Sequence, residues 1–165
     1  MNPLIQKIKI NQYYTRSINL QRDANSEQTV ATYIPTTQTL HTLRHIASTF
    51  EAEDIPRALA LTGPYGSGKS LFSLFFYHLL SQPNAPIHKK ALAILKKSDV
   101  DLAKHYQKKL ANSMGYCRIL LTGSPAPLGQ CLLQAIYQGA QTFWQGKQPP
   151  LSKNSNQPAK RKILR

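Results

Sequence analysis

Apolar residues recur along most of this chain with the period of a helix and in two places form short continuous runs. Leu40, Leu43, Ile46, Ala47 and Phe50 fall on one helix face, and Thr36 or Thr37 stands after Pro35 where a cap belongs. Leu71, Leu74, Phe75, His78 and Leu79 repeat that spacing. Beyond a break at Pro83 and Pro86, Lys89 to Lys97 carries Ala91, Leu92, Ile94 and Leu95. A further helix, capped by Ser98 or Asp99, runs through Leu102, Tyr106 and Leu110 to a stop at Gly115. Pro127 suits the first turn of a last helix, with Leu128, Leu132, Leu133, Ile136, Tyr137, Phe143 and Trp144 as its apolar face. Two runs depart from the helical period: Ala58 to Thr62 and Tyr116 to Thr122 are short, continuous and apolar, as buried parallel strands are. Ala and Leu alone, in the first of these, would also suit a helix.

Strands alternating with helices predict an α/β fold, a three-layer P-loop NTPase-like parallel sheet flanked by helices. With so few strands the sheet would be incomplete. The expected organisation is an amino-terminal arm over residues 1–34, a nucleotide-binding domain over 35–145, and a basic disordered tail over 146–165, where Gln148, Pro149, Pro150 and the residues from Ser152 are polar.

The chemistry sits between the first strand-like run and its helix. Gly63, Pro64, Tyr65, Gly66, Ser67, Gly68, Lys69 and Ser70 spell G-x-x-x-x-G-K-[ST]. A triphosphate presents more oxygens than one cation satisfies, so consecutive backbone N–H groups must wrap it, and glycines permit the approach. Lys69 would reach the β- and γ-phosphates, Ser70 would hold Mg²⁺, and the N–H groups of Lys69, Ser70 and Leu71 would open a helix toward the anion. The competing reading is a glycine-rich turn that only joins two elements. No guanine-reading N-K-x-D motif follows, so the expected cofactors are ATP and Mg²⁺.

Charge adds a second partner. Twenty-one Lys and Arg against seven Asp and Glu give the 165 residues a net charge of +14, which favours polyanions by counterion release. Nucleic acid is the candidate, with Lys89, Lys90, Lys96, Lys97, Lys104, Lys108 and Lys109 as a basic patch; a solvated helix face explains the same lysines. On that alternative the chain is a nucleic-acid-binding module with a vestigial loop. Neither a long apolar run nor a signal peptide is present, so no membrane partner and a cytoplasmic location are expected. Cys117 and Cys131 read as small buried residues, and Glu51, Glu53 and Asp54 as a solvated acidic loop.

Hydrolysis needs a carboxylate at the end of a second strand to hold Mg²⁺ through water. Downstream of the loop the acids are Asp99 and Asp101, both in a helical run, and the second strand-like run ends in Thr122. The chain reads as half a catalytic site, with little turnover of its own, and whether it is an enzyme stays open. Asn2-Pro3-Leu4, Arg16 to Asp23, Tyr33-Ile34-Pro35-Thr36 and above all Ala60 to Ser70 resemble the start of large bacterial AAA-like P-loop ATPases, including those of phage-defence loci. The resemblance implies an ATP-binding amino-terminal portion of a longer ATPase, completed by an oligomer or partner chain, or else a truncated fragment without independent function. It also implies a base contact at Tyr33 and Ile34, for which core anchoring is the alternative.

Overall fold

The computed structural model describes residues 17–51 and 54–144. Among them the elements are α1 (Leu20–Asp23), α2 (Glu27–Ala31), α3 (Thr37–Ser48), α4 (Lys69–Leu79), α5 (Pro86–Ser98), α6 (Val100–Leu110) and α7 (Leu128–Trp144). The chain divides between Tyr116 and Cys117 into two compact units. No helix among the described residues is long and apolar enough to cross a membrane.

Helix starts in the first unit are fixed by side chains the sequence places at them. Thr36 Oγ1 accepts from the Thr39 N–H at 3.3 Å and Thr39 Oγ1 from the Thr36 N–H at 2.7 Å, a reciprocal box that satisfies two otherwise orphaned donors of α3. Pro86 opens α5, where its missing N–H costs nothing. Asp99 Oδ1 accepts from the Leu102 N–H at 3.0 Å and so caps α6. Gly115 takes φ +78°, and a Cβ there would lie 2.8 Å from the Ser81 carbonyl carbon; this close approach lets the Tyr116 N–H donate to Leu80 O at 3.1 Å.

The helices of this unit bury one another's apolar faces. α4 packs on α5, α5 on α6, α3 on α6, and α2 against both α4 and α5. Val30, Leu43, Phe75, Leu79, Ala91, Leu95 and Tyr106 have no exposed surface, each large one contributing about 1.5–3 kcal/mol by leaving water. Tyr106 also donates its hydroxyl to Leu43 O at 2.9 Å, tying α6 to α3. Residues 17–34 join this core through Val30 and Tyr33, whereas residues 1–16 of the expected arm and the tail from 145 lie outside the described residues.

The α/β expectation is overturned. No strand or sheet occurs among the described residues. Ala58 to Thr62 forms neither helix nor strand and is exposed throughout, with Leu59 and Leu61 each at 46% exposure. Tyr116 to Thr122 likewise forms neither helix nor strand, with Ile119 at 44% and Leu121 at 37% exposure. A strand is stabilised by its ladder, not by its own composition. The apolar residues on which a sheet would rest are here consumed by helix–helix packing.

In the second unit α7 forms as the periodicity predicts, but with a different face inward. Ala135 and Gly139 are buried, and a Cβ on Gly139 would sit 2.8 Å from Arg118 O and 3.1 Å from Ile119 Cγ1. The helix therefore packs on residues 118–119 through its smallest side chains. Leu128, Leu132, Leu133, Ile136 and Tyr137, expected in a core, remain 42–72% exposed. The cysteine expectation also needs correction: Cys117 is exposed and Cys131 half-buried.

Candidate functional site

The glycine-rich loop is a turn fastened to the front of α4. Gly66 and Gly68 both take φ +80°, a left-handed conformation that is strained for any residue with a Cβ. Gly68 is the residue before α4, and no side chain caps that end. The first N–H groups of a helix have no carbonyl four residues back. Those of Lys69, Ser70 and Leu71 fall in this class, since the ladder begins with Phe72 N–H donating to Gly68 O at 2.9 Å. The open end carries the positive pole of an eleven-residue helix.

Lys69 closes the loop on itself. Its ammonium donates to Gly63 O at 2.8 Å, Pro64 O at 2.7 Å and Ser67 Oγ at 3.2 Å. An ammonium has three protons to donate, so all of its capacity is taken by the loop. Ser67 N–H reaches back to Pro64 O at 3.4 Å, so the loop's two halves are held by one cation and a weak turn. Ser70 and Leu71 are half-buried on the first turn of α4, while the loop from Gly63 to Gly68 is exposed.

The first turn of α4 is anchored by the packing of the rest of the helix. Phe72, Phe75 and Leu79 belong to the core, and Phe75 stacks on Tyr33 at 4.3 Å between ring centroids. That places the two residues expected at a base very differently: Tyr33 is a core residue with one ring face against Phe75, and Ile34 is 80% exposed. One contact went unseen in the sequence. Ser17 Oγ and the Tyr65 hydroxyl share a hydrogen bond of 3.1 Å, holding residue 17 to the loop tip. No local signal could reveal it, because the partners stand 48 positions apart.

The lysines of the expected basic patch have divided duties. Lys90 pairs with Glu27, whose carboxyl is held below its ordinary range first by that hydrogen bond and then by the lysine's charge. Lys104 pairs with Asp101 at 3.3 Å, and Lys109 donates to Phe50 O at 3.0 Å while lying 5.9 Å over its ring. Lys89, Lys96, Lys97 and Lys108 are exposed. On the α3–α6 side, Arg44, Glu51, Asp99, Asp101 and His105 line a shallow cleft of about 410 Å³, in which Arg44 meets Asp99 at 2.5 Å and His105 meets Glu51 at 3.5 Å. Of the expected acidic loop, Glu53 lies outside the described residues.

No protein family, curated protein or solved structure matches this chain.

Proposed function

We propose that residues 63–71 bind the phosphates of a nucleoside triphosphate together with Mg²⁺, ATP being the nucleotide intended. The observation that carries this reading is the joint geometry of the loop: two left-handed glycines, an uncapped helix end behind them, and the Lys69 ammonium lying across the mouth. An entering phosphate takes over at least one of the three bonds Lys69 makes to its own loop, so binding exchanges an internal clasp for an external one. The N–H groups of Lys69, Ser70 and Leu71 supply the neutral donors, and the Ser70 hydroxyl ligates Mg²⁺. Little turnover accompanies binding, because no carboxylate stands in the loop and its flanking residues 55–71.

Isothermal titration with Mg²⁺-ATP tests the reading. Losing a charge-assisted bond to phosphate is worth about 1.5–3 kcal/mol, so Lys69→Ala should weaken binding roughly tenfold to hundredfold. Inorganic triphosphate should compete with ATP, and AMP should bind least, since the contacts are to phosphate. Equal affinity of the parent chain and Lys69→Ala would end the proposal.

A further inference from the structure

Charge is distributed unevenly over the first unit. Between Asp54 and Asp99 the chain has no Asp or Glu, and four lysines of that stretch stand on α5. Lys89 and Lys96, and again Lys90 and Lys97, are seven residues apart, close to two full turns, so the four share one side of the helix over about 10 Å. His88, Ala91 and Leu95 on the opposite side are buried, whereas the four lysines and Ala93 are exposed. An ordinary solvated helix face interleaves acids with bases three or four residues apart, and α5 has no acid at all. The dipole of the helix accounts for Lys96 and Lys97 in its last turn but opposes Lys89 in its first, where neither an acid nor a side-chain cap stands. The rest of the unit does not neutralise them either. Lys90 is met by Glu27, and Asp23, Asp99 and Asp101 are taken by other cations. Lys89, Lys96 and Lys97 have no carboxylate partner among the described residues.

We propose that this side of α5 holds the phosphate backbone of duplex DNA without reading its sequence. Along 10 Å of its axis a duplex presents about six phosphates, so each lysine finds one within reach of its flexible stem. Contacts to phosphate position a protein on the duplex and carry no sequence information, and Arg, Asn and Gln, which read base edges with two bonds, are absent from α5. A single strand fits less well, because proteins that hold one stack its bases on aromatic rings and α5 has no Phe, Tyr or Trp. A lipid surface also fits less well, since helices that enter it expose large apolar side chains beside their lysines and α5 exposes none. The site rests on other residues than the Gly63 to Leu71 loop, and it does not depend on nucleotide.

Fluorescence anisotropy of a labelled mixed-sequence DNA duplex of about 20 base pairs, titrated with the full chain between about 50 and about 200 mM salt, tests the proposal. The triple variant Lys89→Gln, Lys96→Gln and Lys97→Gln keeps good helix formers at exposed positions. It should weaken binding at least about tenfold at the lowest salt and flatten the slope of log K against log salt by about 0.9 per lysine removed. The same three positions changed to Arg should bind as the parent chain does. A control with equal net charge, Lys160→Gln, Arg161→Gln and Lys162→Gln, should lose less than the α5 variant, and Lys69→Ala should lose nothing. A parent chain that does not bind the duplex overturns the proposal, as does an α5 variant that binds as the parent does or no worse than the equal-charge control. Tighter binding to a single strand of the same length, or α5-dependent capture by phosphatidylserine vesicles without any binding of the duplex, overturns it as well.

Discussion

The helices on either side of Cys117 obey the same sequence rule and end with opposite outcomes. In α3 to α6 the large apolar residues at helical spacing are buried, and Leu43, Phe75, Leu95 and Tyr106 have no exposed surface. In α7 Leu128, Leu132, Leu133, Ile136 and Tyr137 stay in water, Phe143 and Trp144 are half-buried, and only Ala135 and Gly139 are buried. The cause is the neighbour each helix has. Between Pro35 and Leu110 each helix has another to cover its apolar face: α4 packs on α5, α5 on α6, and α3 on α6. In its own unit α7 has beside it residues 118–119, whose backbone comes close to the helix at Gly139. A hydrophobic period states that a face exists; it does not state what covers it.

The strongest way to break this comparison is to cut the same kind of side chain on each side. Tyr106→Ala removes a wholly buried ring and its bond to Leu43 O, and should cost about 3–5 kcal/mol in urea unfolding. Leu133→Ala, at 71% exposure, should change the stability of the monomer by less than about 0.5 kcal/mol. Similar costs for the two would mean that α7 is covered in solution by the rest of its own chain. Burial also keeps the Tyr106 hydroxyl well above the ordinary phenol range, with Tyr116 adding to the effect, so it stays a neutral donor.

How much of this was legible in the sequence follows from the range of the interactions involved. Caps and helix boundaries depend on neighbours three or four residues away, which is why Thr36 and Asp99 stand where the pattern places them, whereas Pro86, read as part of a break, opens α5 three residues before the expected start at Lys89. The loop was legible for the same reason: Gly66, Gly68 and Lys69 act within one turn of each other. A sheet is a long-range object. Ala58 to Thr62 and Tyr116 to Thr122 carry strand composition, but composition cannot supply the ladder, and neither forms a strand. The same limit hid the burial of Tyr33 under Phe75 and the reach of Ser17 to Tyr65, contacts made across more than forty residues.

Two glycines within α7 sharpen the comparison at smaller scale. Gly139→Ala would push a Cβ to 2.8 Å from Arg118 O, and displacing that backbone should cost about 1–3 kcal/mol. Gly129 has open space around it, so Gly129→Ala should gain about 0.5 kcal/mol from helix propensity. Thermal unfolding of the two variants checks both signs. A neutral Gly139→Ala would mean that residues 118–119 do not rest on the helix.

The smallest effect concerns charge, which the first unit uses and α7 lacks. The Asp99 carboxyl is held below its ordinary value first by the Leu102 N–H it accepts and then by Arg44, with partial burial opposing both. A carboxyl depressed in the folded state contributes stability that is complete above its unfolded value, about 3.9, and is lost as pH falls through the lower folded value. Asp99→Asn keeps an acceptor at the helix start, since asparagine caps about as well as aspartate, but it cannot titrate. The parent chain should therefore exceed Asp99→Asn in stability at pH 6 by no more than about 1 kcal/mol, and this margin should shrink as the pH drops below about 4. Substitutions in α7 should show no such trend, because from residue 119 to residue 144 the chain carries no carboxylate, histidine, lysine or arginine. Denaturation midpoints between pH 3 and pH 6 decide it: curves for the parent chain and Asp99→Asn that run parallel would show that the cap is not carried by charge, and the contrast between the two units would then rest on packing alone.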